Sequence, residues 1–340
     1  MTENKVPVQL GNGCAVADDL LFVAGFPDAL NDDVQYTRLF HLVAGPDPRW
    51  GHEDWPGEDV VSLCLRRARP DVARAGCALS DEGHVKITNS AGETIERVPG
   101  AGLRDLSPGE PILGKMRDIA EVGETLFCCG YGGQIYRRDA TGWRDVAPAL
   151  RGSGFDTASP SQSGEDSGVL SLYRSLRQTV NLEAIDGSGQ NDVYSCGLAG
   201  QIYHSSGRAW HSVPSPTDEN LLDLHCVSSE EIIISGYNET LLRGNARQGF
   251  SVLHGPGNPI QFYSVRQFQG DIYVGTTQGL RRFNGTGFDV VRDGRAAIDE
   301  TTVIQQIDSV SDNYLWIIGD RHVYRFDGQK VERFLHPDNV

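Results

Sequence analysis

The chain predicts an all-β fold: a seven-bladed β-propeller with four-stranded antiparallel blades. Three observations lead there. First, a phrase recurs, as Leu126-Phe-Cys-Cys-Gly-Tyr-Gly-Gly-Gln-Ile-Tyr136 and as Val193-Tyr-Ser-Cys-Gly-Leu-Ala-Gly-Gln-Ile-Tyr203. Each copy runs on through a turn to a tryptophan, Trp143 or Trp210. Second, apolar stretches are short and broken by Gly and Pro, so helical periodicity is missing. Third, degenerate copies of the phrase recur at blade-like intervals along the whole chain.

Each copy reads as two strands. The first is rich in β-branched and aromatic residues and closes on glycine, as in Asp192-Val-Tyr-Ser-Cys196 before Gly197. That glycine is expected where a Cβ would clash. Later copies are Ile232-Ile-Ile-Ser-Gly236, Ile272-Tyr-Val-Gly275 and Leu315-Trp-Ile-Ile-Gly319; Leu21-Phe-Val-Ala-Gly25 lies upstream. A weaker copy, Cys77-Ala-Leu-Ser80, places Ser80 in the glycine slot. The anchors Gly25, Ser80, Gly130, Gly197, Gly236, Gly275 and Gly319 are spaced by 55, 50, 67, 39, 39 and 44 residues. The shortest spacing is the length of one propeller blade, roughly 40 residues. An apolar stretch precedes most anchors (Met116–Ile119, Leu221–Leu224, Phe262–Val265, Val303–Ile307) and another follows (Trp143–Val146, Trp210–Val213, Phe250–Leu253, Phe288–Val291, Val331–Phe334). Four strands in each of seven units close radially around a channel. The last unit holds its own fourth strand, so Val6-Pro-Val-Gln-Leu10 is not needed as a clasp.

The pattern resembles bacterial propeller repeats of the form V-G-x-x-G-x-I-x-x-x-x-G-x-x-W, as in photosystem II assembly-factor-like proteins. Gly132-Gly133 ahead of Tyr136 and Trp143 gives a kelch-like look, although the kelch pair normally lies further ahead of its Tyr. The resemblance covers most of the chain and implies the fold, while one such fold hosts unrelated activities.

Residues 1–340 read as a single propeller domain with insertions at about 26–60 and 150–178. No run approaches the roughly 18 apolar residues of a membrane span. The N-terminal Met1-Thr-Glu-Asn-Lys-Val-Pro lacks a basic segment leading into an apolar one, so no signal peptide is read. The seven cysteines include no Cys-x-x-Cys pair and read as small core residues of a reduced, cytoplasmic protein. Net charge is −16, which argues against nucleic acid or an anionic membrane and suits a basic protein partner.

The window from Phe26 to Val60 carries eight acids against Arg38 and Arg49. Its run Trp50-Gly-His-Glu-Asp-Trp-Pro-Gly-Glu-Asp59 sets two tryptophans among carboxylates. Trp50, His52, Glu53, Asp54, Trp55, Glu58 and Asp59 are therefore candidate partner-binding residues, unless the tryptophans seal a blade edge. No metal is expected there, because adjacent residues cannot easily converge on one ion. The second window opens on a low-complexity stretch, Gly152–Gly168, followed by Val169–Leu176, a short helix or an added strand.

Catalytic signatures are missing. There is no S-x-D-x-G-x-T-W box, no phosphate loop and no Gly-x-Ser-x-Gly elbow. Asp118 and Asp223, near the ends of innermost strands, are candidates to face the channel. His204 fills the slot of Arg137, Arg243, Arg282 and Arg325, which suggests a structural cation at blade edges, stacked on an aromatic ring. The expectation is a cofactor-free, protein-binding propeller. Its sharper form is an acidic immunity or antitoxin protein that occludes a basic partner. A hydrolase or lyase acting at the channel mouth is one alternative, and an assembly factor or structural subunit is another.

Overall fold

The computed structural model describes residues 6–31, 33–104, 112–151, 179–293, 296–298 and 302–339. Seven four-stranded antiparallel sheets follow one another along the chain. Their innermost strands are Val8–Ala17, Val60–Arg66, Met116–Val122, Leu182–Gly189, Leu221–Ser228, Phe262–Phe268 and Ile304–Asp308. Each packs beside the next, and the seventh packs beside the first, so the ring is closed. A small hairpin, Arg292–Asp293 with Ala296–Ala297, sits between blades 6 and 7. The seven-bladed architecture expected from the repeat is the one observed.

The window Phe26–Val60 holds Tyr36–Val43 and Arg49–Pro56, the two outer strands of blade 1. They pair in register from Tyr36 opposite Pro56 to Val43 opposite Arg49. Of the second window, residues 152–178 lie outside those described.

Both faces of every blade must be covered, and neighbouring blades cover them. Among the described residues the apolar core divides into seven clusters, one at each blade junction. The repeat tryptophans belong to this scheme. Trp143 of blade 3 packs into the junction with blade 2, and Trp210 of blade 4 into the junction with blade 3. Phe250 and Phe288 take the same place in blades 5 and 6.

The blade glycines explain the repeat's strictest position. Gly197 is extended (φ −173°), so left-handed backbone is not the reason for it. A Cβ there would run into the Asn181 carbonyl, and one on Gly130 would lie 2.5 Å from the Lys115 carbonyl oxygen. Glycine lets the second strand close down on the entry to the innermost strand. The Gln of the phrase is equally structural: Gln134 Nε2 donates to the carbonyls of Gly114 (2.9 Å) and Tyr131 (2.8 Å).

Among the described residues no blade is shared between the chain ends. Val8–Ala17 pairs with Leu20–Pro27 of its own blade. Closure comes from blade packing and a polar clasp. Asn339 Oδ1 accepts the Val8 amide (2.8 Å), and its Nδ2 donates to the carbonyls of Val8 (2.9 Å) and Arg321 (2.7 Å). Removing three hydrogen bonds predicts that Asn339→Ala loses about 1–2 kcal/mol in urea unfolding. An unchanged midpoint would show the clasp to be idle.

Candidate functional site

The central channel is where the innermost strands place their polar side chains. Asp118 Oδ1 accepts from Ser62 Oγ (2.6 Å) and its Oδ2 from the Ile185 amide (2.8 Å), so it joins blades 2, 3 and 4. Asp223 Oδ2 accepts from Ser264 Oγ (2.9 Å) and the Val265 amide (2.8 Å) of blade 6. Asp186 takes the Cys226 amide of blade 5 (2.9 Å), and Asp308 the Ala15 amide of blade 1 (2.8 Å). Asn12 and Ser264 bridge the remaining two junctions, to the Val61 carbonyl and to the amide of Ile307, and Ser62 adds a bond from the Ile119 amide at the junction of blades 2 and 3. Every junction thus carries a side-chain staple between innermost strands. The structure places Asp118 and Asp223 in the channel wall, with both oxygens of Asp118 and Oδ2 of Asp223 committed to these staples, while Asp223 Oδ1 accepts the Leu224 amide of its own strand.

One cation sits among the carboxylates. Arg266 lies 3.1 Å from Asp223 and 3.4 Å from Asp308. Burial disfavours its charge, but Asp223, Asp308 and Asp186 outweigh that and hold its pKa above the usual arginine value. Burial pushes Asp118 up, and Asp186 up to about 6. Burial, with Arg266 nearby, pushes His225 down to about 3. Among the described residues no group of three His, Cys, Asp or Glu is placed to hold a metal.

The channel opens at the face where each blade's second strand turns into its third. The residue after the blade glycine lands on this rim, so Tyr131, Leu198 and Tyr237 line a cavity of about 460 Å³ together with Tyr263 and Arg117. Tyr131 donates its hydroxyl to Glu183 (2.6 Å), which also pairs with Arg117 (2.7 Å). The sequence points to a channel mouth without naming the residues that line it, although the repeat marks three of them.

The candidate residues from Trp50 to Asp59 occupy the outermost strand of blade 1 and the turn after it. Strand alternation sends them to opposite sides. Trp50 faces the junction with blade 7, edge-on to Phe40 (6.0 Å) and His336 (4.7 Å). It is blade 1's version of the repeat tryptophan. Trp55, only 8% exposed, packs toward blade 2 with the Lys86 ammonium 5.5 Å from its ring. Lys86 itself is buried and pairs with Glu53 and with Glu93. His52 and Asp54 face outward, Asp54 bound to Arg38 at 2.6 Å. Glu58 lies 2.8 Å from His84 Nδ1. Asp59 accepts the Tyr36 amide (3.1 Å), and burial raises its pKa. The structure therefore brings Trp55, Glu53 and Lys86 together across a blade junction, and sets Asp59 apart, on the rim.

The recurrent cation slot is structural where the aromatic neighbours are present. Arg325 lies over Tyr314 (4.2 Å), and His204 stacks on Tyr194 (4.5 Å).

No family model matches the chain. It is 27% identical over 325 residues to the immune protein Tsi7 of Pseudomonas aeruginosa, and the match covers 93% of either chain. A full-length relative is thus an immune protein. Among solved structures, the WD40 propeller domain of Doa1 superposes with a TM-score of 0.59 at 11% identity, covering 98% of this chain and 95% of that one. YCF48 from Cyanidioschyzon merolae gives 0.59 at 11% identity over 98% and 97%. YCF48 bound to D1 peptide gives 0.58 at 10% identity over 99% and 96%. At such identities these structures show the fold alone. Among the described residues no helix is long and apolar enough to cross a membrane.

Proposed function

We propose that this propeller is an immunity-type protein that binds a basic protein partner and occludes it. The observation that carries this reading is the similarity to the immune protein Tsi7 along nearly the whole of both chains. Charge supports it, because a net −16 favours fast capture of a cationic partner. The scaffold supports it too: the YCF48 propeller, similar in fold, has been solved with a peptide bound. In this reading Trp50 and Trp55 act as packed backing that fixes the outer strand of blade 1. His52 and Asp54 are its exposed polar groups, and Asp59 follows it on the rim of the channel face.

The test is co-expression with a toxic gene product encoded beside this protein's own gene. Growth is expected to return when the chain is present. The purified pair is expected to form a complex that weakens as ionic strength rises, since exposed charges are screened within about 10 Å at 0.1 M salt. Persisting toxicity, or a complex indifferent to salt, would contradict the reading.

A further inference from the structure

We infer that the channel face carries a groove for an extended basic segment of the partner, with Asp59 receiving a lysine or arginine of that segment; this rests on the protein-binding reading above. A cavity of about 380 Å³ lies between blades 1 and 2 and is lined by Asp59 and Tyr36. It shares Asn12, Val60 and Gln305 with the 460 Å³ mouth of the channel. The two are one continuous groove running from the blade 1–2 junction to the centre of the ring. Each half is of ligand size, within roughly 300–1,000 Å³.

The lining chemistry selects the occupant. Gln305 offers an amide that both donates and accepts, and Asn12 offers its Oδ1 while its Nδ2 is held by the Val61 carbonyl; both suit a peptide backbone. Tyr237 and Tyr263 place phenol rings at the mouth, and ring faces attract cations. The carboxylates decide the sign of the charge. Glu53, Asp54, Asp81 and Glu183 are each already paired with a lysine or arginine, namely Lys86, Arg38, Lys115 and Arg117. Asp59 differs. One of its oxygens accepts the Tyr36 amide, and among the described residues no Lys, Arg or His lies within ion-pair distance of it. Burial is what raises its pKa, with Asp81 adding to the rise, while the Tyr36 amide and the more distant Lys115 and Arg104 pull it down. An arriving ammonium or guanidinium would complete the pair in a partly desolvated site, where charged hydrogen bonds are strongest. An extended segment advances about 3.3–3.6 Å per residue, so successive side chains can reach Asp59 and then the tyrosines.

The probe is a fluorescein-labelled peptide of alternating Arg and Gly, about nine residues long, titrated against the full chain by fluorescence anisotropy. A Glu–Gly peptide of equal length is the control. The Arg peptide is expected to bind and the Glu peptide to fail. Asp59→Asn keeps the bond to the Tyr36 amide and removes the charge; it is expected to weaken binding about tenfold. Tyr237→Ala is expected to weaken it several-fold with the melting temperature held. Glu230→Gln neutralises an exposed acid on the opposite face and is expected to change little. Wild-type affinity in Asp59→Asn, equal weakening by Glu230→Gln, or no binding of the Arg peptide would each overturn the groove. If toxin neutralisation survives Asp59→Asn combined with Tyr237→Ala, the groove falls and the immunity reading stands. If the unmodified chain never neutralises, that reading falls and the peptide titration still judges the groove.

Discussion

Trp316→Ala is expected to destabilise the propeller by about 3–5 kcal/mol, the range for removing a large buried aromatic side chain. Trp316 is fully buried in the second strand of blade 7 and belongs to the cluster that joins blade 7 to blade 1. Its indole lies 5.8 Å from the Phe334 ring, with the Arg325 guanidinium 5.5 Å away. Its Nε1 donates to the Ala17 carbonyl of blade 1 at 3.0 Å. Alanine would leave a cavity, strand that carbonyl and strip one face from Arg325. The site matters more than its burial alone indicates, because no strand crosses this junction. Closure there rests on this cluster together with polar contacts that include the Asn339 clasp, the Asp308 staple, the Leu10 amide on the Asp320 carbonyl and the pairing of Asp18 with Ser311 and Asn313. A melting temperature lower by on the order of 10 °C is the expected readout. Trp316→Phe, which keeps the packing and loses the hydrogen bond, should recover most of it. A loss below about 1 kcal/mol for the alanine variant would mean that closure does not depend on this junction.

Much of this fold could be read because repeats impose the same physics at each blade. Glycine recurs at 130, 197 and 236 because a Cβ would meet the backbone entering the innermost strand at each place. The outer-strand aromatic recurs because each junction needs a bulky residue near its edge. Blade 1 hid its own copy. Trp50 occupies the aromatic slot, but the surrounding charge gives the segment the look of an insertion. Here Lys86, buried between Glu53 and Glu93, neutralises what the sequence shows only as acid. The channel aspartates show a second limit. Asp118 and Asp223 were placed at the channel from strand position, but nothing local says that a carboxylate will bind the amide of the next blade. The groove is harder still. Tyr237 follows a blade glycine and could be assigned to the rim, whereas the approach of Asp59 to the channel mouth depends on how blades 1 and 2 pack.

Stability is expected to fall as pH rises through about 6, with Asp186 as the cause. Its carboxylate is in the channel wall, with Oδ1 accepting the Gly187 amide (2.8 Å) and Oδ2 the Cys226 amide (2.9 Å). Burial is the largest influence and lifts the pKa to about 6; the two amides and Arg266 pull it down, and Asp223 adds to the rise. An unfolded aspartate titrates near 3.9, so between about pH 4 and 6 the folded chain holds a proton that the unfolded chain has released. The favourable contribution is therefore complete below about pH 4 and is lost as pH climbs through about 6. About two units at 1.36 kcal/mol each set an upper limit near 3 kcal/mol. The 29% of the side chain open to channel water reduces it. Carboxylates held low by partners work the other way at lower pH. Asp54, lowered chiefly by its hydrogen bond from Arg38, and Glu96, lowered chiefly by Arg138, both lose stabilisation as pH falls through their folded pKa values. Urea unfolding between about pH 5 and 7.5 separates the two trends. The unmodified chain should lose stability across that interval, and Asp186→Asn should flatten the slope even if the loss of one amide bond lowers its absolute stability. Parallel slopes for the two proteins would mean that Asp186 is ionised in the folded channel throughout, with Arg266 and the two amides outweighing its burial.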